Sequence, residues 1–184
     1  MILLPFQRRR NARRRGFTLI EASLASVIIG VGVMAMMELF AACTRQNMLS
    51  GKRTTGMMLA QSIMEATSSL PFRDPGGLPS PIGPETGEVL ATFDDVDDFD
   101  LMTLNPPIDA TRTQLPELAQ YTQIITVLPV YPNKPNSNNN EFSLEIPKST
   151  YTGAVRVRVR VLYRANPDSP AEEVYRLSWI RLDK

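Results

Sequence analysis

Apolar positions fall into two regimes along the chain. From Phe17 to Cys43 they are almost continuous: FTLIEASLASVIIGVGVMAMMELFAAC, 27 residues with only two charges, Glu21 and Glu38. A membrane span needs about 20 mostly apolar residues, so this run predicts a transmembrane helix. Beyond it the pattern becomes mixed. Met57, Met58, Leu59, Ile63, Met64 and Leu70 are interspersed with Arg45, Lys52, Arg53, Gln61 and Glu65, which suits an amphipathic helix with one face packed on a domain. No proline occurs between Phe17 and Leu70, so a single helix over 17–70 is permitted. Gly30, Gly32, Gly51 and Gly56 weaken it locally by up to ~1 kcal/mol each. Gly30 and Gly32 offer places for bending or close helix packing.

Fourteen of the fifteen prolines lie from Pro71 onward, and the period changes there. PFRDPGGLPSPIGP, from Pro71 to Pro84, is a loop that stops the helix. Gly87–Phe93 is a weak strand candidate. Tyr121–Val130 is a better one, with Pro129 marking an edge or a break. Phe142, Leu144 and Ile146 alternate with polar residues. Val155, Val157, Val159 and Val161 alternate with Arg156, Arg158 and Arg160, the clearest period-two signal in the chain, and Glu173–Leu182 follows as its antiparallel partner. Trp179, Tyr175 and Tyr163 read as core or rim of a sheet–helix contact. A long helix followed by an antiparallel sheet gives an α+β architecture.

Charge sharpens the amino-terminal reading. Arg8, Arg9, Arg10, Arg13, Arg14 and Arg15 precede the apolar run with no acid among them, while the remainder carries 14 Lys+Arg against 19 Asp+Glu, a formal −5. The positive-inside bias then places the amino terminus in the cytoplasm and the body outside it. A body of net negative charge is poorly suited to nucleic acid, and no nucleic-acid partner is expected.

Glu21 does not fit a plain anchor. A charged residue deep in a membrane helix costs roughly 2.5–3.5 kcal/mol on insertion scales, so it has a partner or a function, or it snorkels to the interface. A cut between Gly16 and Phe17 would place a new α-ammonium one helical turn from the Glu21 carboxylate, and the two could neutralise each other within or between subunits.

The run Arg13-Arg14-Arg15-Gly16-Phe17-Thr18-Leu19-Ile20-Glu21-Ala22 resembles the class III signal of type IV pilins and type II secretion pseudopilins. That resemblance implies cleavage between Gly16 and Phe17 by a prepilin peptidase, methylation of the Phe17 amine, and assembly with other pilin or pseudopilin subunits through the helix. Glu21 matches the family glutamate that pairs with a neighbour's amino terminus. The implied division is a leader, 1–16, removed on processing; a transmembrane and assembly helix, 17–43; its amphipathic continuation, 44–70; and an exported globular domain, 71–184. The implied location is the bacterial inner membrane, single-pass, with a periplasmic domain, and a filament or the cell surface after assembly. Many major pilins close a carboxy-terminal loop with a disulfide. One cysteine, Cys43, cannot do so, which favours a minor subunit or a pseudopilin. Phe40-Ala41-Ala42-Cys43 only loosely resembles a lipoprotein signal, and Cys43 reads as a small apolar helix residue.

Candidate chemistry elsewhere is sparse. The chain has no histidine, which excludes His-based triads and His metal sites. No phosphate loop or dinucleotide fingerprint is found, so a structural subunit is expected and not an enzyme. Asp94, Asp95, Asp97, Asp98 and Asp100 form one dense acidic cluster, DDVDDFD. It is either a solvated loop or a Ca²⁺ site built of hard oxygen ligands, and its spacing is not that of an EF-hand. No other cofactor is expected. The arginine row reads as the wet side of a sheet. Two other functions remain open: a Ca²⁺-responsive surface adhesin exported by the pilin route, and a plain single-pass anchored β domain.

Overall fold

The computed structural model describes residues 16–72, 82–131, 133, 144–150 and 152–183. The fold is α+β and pilin-like: one long amino-terminal helix, with an antiparallel sheet packed on it. Helix α1 is Leu19–Ser68. The strands are β1 (Thr103–Leu104), β2 (Tyr121–Tyr131), β3 (Leu144–Glu145), β4 (Ala154–Tyr163) and β5 (Glu172–Leu182). The chain divides into two compact units between Asn47 and Met48.

In the first unit nothing among the described residues covers α1. Phe17, Leu24, Ile28, Val31, Met36 and Phe40 are all more than 60% exposed, so apolar side chains ring the helix. Such a surface belongs in lipid or against other apolar helices. The hydroxyls along this stretch are internally satisfied. Ser23, Ser26 and Thr44 donate to the carbonyls of Leu19, Ala22 and Phe40, each at 2.9 Å, which removes the cost of carrying them into hydrocarbon.

In the second unit α1 turns one narrow face to the sheet. Gly56, Leu59, Ala60, Ile63, Ala66 and Thr67 are buried. These positions follow the helical spacing, but the stripe is leaner than the methionines suggested: Met57 and Met58 lie outside it, 41% and 63% exposed. Among the glycines expected to loosen or kink α1, Gly56 has a different role. A Cβ there would lie 3.0 Å from both Tyr175 Cβ and Val174 Cγ2 of β5, whereas Gly30, Gly32 and Gly51 face open space. Gly56 is a point of close approach between helix and sheet.

The sheet runs β1-β2-β4-β5, all antiparallel, with β3 pairing the far end of β2. Register puts Ile125 opposite Val159 and Val127 opposite Val157 on the inner face, and Trp179 opposite Val157 on β5. The period-two valines of β4 are all buried, and Trp179, Tyr175 and Tyr163 sit half-buried against the core. Pro129 stays inside β2, opposite Val155. The Gly87–Phe93 strand candidate is not a strand. It folds into successive turns, with Thr92 N–H on Val89 O at 2.8 Å, because Phe93 needs cover while Val89 remains 59% exposed. Of the strand expected around Phe142, Leu144 and Ile146, the described residues include Leu144–Glu145, and Phe142 lies outside them.

Two polar side chains lock the second unit together. Gln123 is completely buried and its amide is fully used: Oε1 accepts the Ile108 N–H at 2.8 Å, and Nε2 donates to Leu59 O at 2.9 Å and Ile108 O at 3.0 Å. One amide therefore ties helix, sheet and the loop after β1. Arg181, near the end of β5, donates to the carbonyls of Thr67, Ser68 and Leu70. It supplies the cation that the last turn of α1 lacks in its own sequence.

Replacing Gly56 with alanine gains helix propensity of up to ~1 kcal/mol but forces the β5 backbone outward, which costs ~1–3 kcal/mol. A net loss of about 1 kcal/mol is expected, and a much larger one for Gly56→Leu, measured by denaturant unfolding of residues 48–184. Gln123→Leu strands the N–H and carbonyl of Ile108 at ~1–3 kcal/mol each, while Leu59 O keeps its bond within α1. It should lower the unfolding midpoint more than any single Val→Ala in β4.

Candidate functional site

The first candidate site is the start of α1. Gly16, Phe17 and Thr18 precede the helix as exposed, non-helical residues, and Phe17 is 73% exposed. The peptide bond between Gly16 and Phe17 thus lies outside regular structure. Thr18 and Glu21 form a loose capping box. The Glu21 N–H reaches Thr18 Oγ1 at 3.3 Å, and Glu21 Oε2 accepts from the Thr18 N–H and hydroxyl at 3.5 Å. Glu21 therefore lies in the first turn of the helix, on the same exposed end as Phe17. Its carboxylate also suits the positive end of the helix dipole. This T-x-x-E box is readable in the sequence at residues 18–21 and gives Glu21 a local role besides any charge pairing.

Residues 11–37 match the prokaryotic N-terminal methylation motif. The chain carries the type IV pilin and pseudopilin signal. No curated protein and no solved structure matches the chain. The pilin signal supports a type IV pilin-like or pseudopilin subunit processed by a prepilin peptidase, and it implies assembly with other pilins. The family that bears this signal is structural. One described helix, α1, is long and apolar enough to cross a membrane. Signal and helix together fit a single-pass inner-membrane anchor.

The second candidate site is the acidic stretch. It is not the solvated loop that its composition suggests. Asp95, Asp98 and Asp100 are 1%, 0% and 5% exposed, Asp97 is half-buried, and only Asp94 is exposed. The apolar residues between them explain why. Phe93, Val96 and Phe99 recur every third position, and all three enter the core, with Phe93 and Phe99 edge to face at 5.2 Å. A 3₁₀ turn, Asp97–Phe99, carries the end of the motif.

Burying these rings drags the carboxylates in, and backbone N–H groups receive them. Asp95 Oδ1 accepts from the Asp97 and Asp98 amides at 2.8 and 3.2 Å. Asp98 Oδ2 accepts from Asp94 and Asp95 at 2.8 and 3.1 Å. Asp97 Oδ2 accepts from Gly83 at 3.1 Å. Asp100 Oδ1 accepts from Val127 of β2 at 2.7 Å, and its other oxygen pairs with Lys148. Arg112 stacks over Phe99 and donates to Phe93 O at 2.7 Å and Leu90 O at 3.2 Å, which pins the loop from the other side.

The five aspartates consequently do not converge on one point. Among the described residues, the one set of three carboxylates close enough to share a ligand is Glu85, Glu88 and Asp98, and it takes a single member from the cluster. Sequence reading missed both glutamates, which lie just after the Pro71–Pro84 loop, nine and six residues before Asp94. Crowding shows in the acidities. Burial, then the adjoining Asp97 and Asp98 carboxylates, push Asp95 up to about 8. For Glu88, the Glu85 amide pulls the value down, but burial and the Glu85 and Asp98 side chains outweigh it and raise the group to about 7.

The arginine row of β4 is also occupied. Arg156 and Arg158 share Glu145 Oε1 at 3.0 and 2.6 Å, and Arg156 is only 4% exposed. Arg160 and Arg176 share Glu173 at 2.7 and 2.8 Å. The Arg176 hydrogen bond foremost, and Arg160 after it, hold Glu173 below the usual carboxylate range. The outer side of the sheet is a laced ion-pair surface rather than a simple wet face.

The raised Asp95 sets the sign of a pH dependence. An unfolded aspartate titrates near about 3.9 and the folded one near about 8. Between those values the folded state holds the extra proton, so stability is highest at the acid end and declines as pH rises toward 8. In divalent-free buffer the melting temperature of residues 48–184 should fall across this window. Asp95→Asn, which keeps the accepting oxygen and removes the charge, should flatten the slope.

Proposed function

We propose that the protein is a minor pilin or pseudopilin subunit of a type IV pilus or type II secretion pseudopilus. Prepilin peptidase cleaves between Gly16 and Phe17, the new Phe17 amine is methylated, and the mature chain waits in the inner membrane with its domain in the periplasm. Assembly then moves the apolar part of α1 from lipid into a filament core, where neighbouring helices replace the acyl chains. Glu21 receives the α-ammonium of an adjacent subunit. Phe17 to Cys43 contain one other carboxylate, Glu38, and no cation, so pairing with a new amino terminus removes the main electrostatic penalty of packing this end among apolar helices.

The observation that carries this reading is the methylation motif at 11–37 on a helix whose apolar surface is bare all round. The laced arginines and the bound-in aspartates of the second unit support a structural subunit. The single cysteine, exposed on α1, supports a minor subunit or pseudopilin over a disulfide-closed major pilin.

Intact-mass measurement on protein from cells with a working peptidase should show loss of residues 1–16 and gain of one methyl group. Retention of the leader overturns the reading in favour of a plain anchored domain. The role of Glu21 is separable from its capping box. Glu21→Gln preserves the cap and removes the charge, so it should enter the membrane normally and fail to enter filaments, and Glu21→Ala should do the same. Incorporation of the glutamine variant at the wild-type level would reduce Glu21 to a capping residue.

A further inference from the structure

The segment between α1 and β2 gathers three carboxylates that export and assembly leave unused. One oxygen of each of Glu85, Glu88 and Asp98 lies within 4.8 Å of the other two. Asp98 is fully buried, and its two oxygens differ. Oδ2 takes the amides of Asp94 and Asp95. Oδ1 is buried with no hydrogen-bond partner. A carboxylate oxygen stripped of water and left unpaired is costly, and such groups in folded proteins have partners. The neighbouring carboxylates exclude an anion, so the missing partner carries positive charge, either as a metal ion or as a proton on Glu88.

Size narrows the choice. Ca²⁺ holds oxygens at about 2.3–2.6 Å, so ligands on opposite sides of it are at most about 4.6–5.2 Å apart. A triplet within 4.8 Å can close on such an ion with little movement. Mg²⁺, at about 2.0–2.1 Å, demands a tighter and near-octahedral set and keeps most of its water. Access fits too. Glu85 and Glu88 are half-buried and Asp98 is buried, so the set has an open side and a closed end. The glutamates are pre-positioned by a turn in which the Glu85 N–H donates to Glu88 Oε2 at 3.0 Å. Asp98 is aimed by the amides on its Oδ2 and by its own N–H on Asp95.

We infer that Glu85, Glu88 and Asp98 form a Ca²⁺ site, with Asp98 as its floor, the two glutamates as its mouth, and water completing the shell. The ion joins the 85–88 turn to the 3₁₀ turn whose Phe99 is in the core. Calcium therefore stabilises the loop over the α1–sheet core. Asp95, Asp97 and Asp100, engaged with backbone amides and Lys148, are scaffold rather than ligands.

The test uses the full chain in detergent micelles, stripped with chelator and titrated with CaCl₂ or MgCl₂ by calorimetry and thermal unfolding. A dissociation constant of roughly 10⁻⁴–10⁻³ M for Ca²⁺, weaker binding of Mg²⁺ and a calcium-dependent rise in melting temperature are expected. Glu85→Gln and Glu88→Gln should each weaken binding about tenfold or more, while Glu117→Gln, an exposed acid elsewhere, leaves it unchanged. Should either glutamine variant fold poorly, hydrogen exchange on the wild-type chain decides: calcium should slow the amides of residues 85–100 selectively. No heat and no melting shift at about 10 mM CaCl₂, binding that survives the double glutamine variant, or protection spread evenly over the chain would each overturn the site.

Discussion

Apolar surface must leave water, and α1 carries far more of it than its own domain can cover. The sheet accepts one narrow stripe, from Gly56 to Thr67, and that contact fills the core of the second unit. The stretch from Leu19 to Phe40 has no such cover, and its large side chains stand exposed on every side. Burial of a single Leu, Ile or Phe is worth ~1.5–3 kcal/mol, so the whole row represents a driving force that only lipid or other helices can satisfy. The same surface suits two environments in turn, bilayer and helix bundle, since both present hydrocarbon. The one carboxylate at the helix start stands apart from this surface, since hydrocarbon penalises it.

The domain end of the helix shows how a polar minority organises an apolar core. Gln123 sits at the centre with each amide atom assigned, and Arg181 closes the carbonyls that α1 leaves open. The aspartates follow the same logic at higher stakes. Phe93, Val96 and Phe99 could not enter the core without carrying Asp95 and Asp98 inward, and the local amides turn toward those carboxylates to receive them. Where the amides run out, at Asp98 Oδ1, a buried oxygen is left without a hydrogen bond beside two glutamates.

Much of this was legible in the chain. The arginine cluster, the uninterrupted apolar run and the spacing from Gly16 to Glu21 are local features, and local features survive folding unchanged. The valine–arginine alternation of β4 likewise needs no partner to be recognised, because a strand's two faces are written every second residue. Helix limits were close: 17–70 was expected and Leu19–Ser68 is observed. The misreadings arose where a residue's role depends on a distant neighbour. Gly56 looked like a weak point in a helix until β5 came against it. Gly87 to Phe93 looked extended until one ring, Phe93, proved to be the reason for its turns.

The sequence by itself determined that this chain has an apolar helix with a positively charged leader, a processing signal, one carboxylate near the helix start and an antiparallel sheet downstream. Each of these is set by contiguous residues whose chemistry acts over a helical turn or a strand. Only the tertiary structure decided which acids are buried, which arginines are already paired and which three carboxylates meet. Those outcomes depend on segments dozens of residues apart sharing one low-dielectric interior, where a carboxylate's surroundings, and not its neighbours in the chain, fix its charge and its partners.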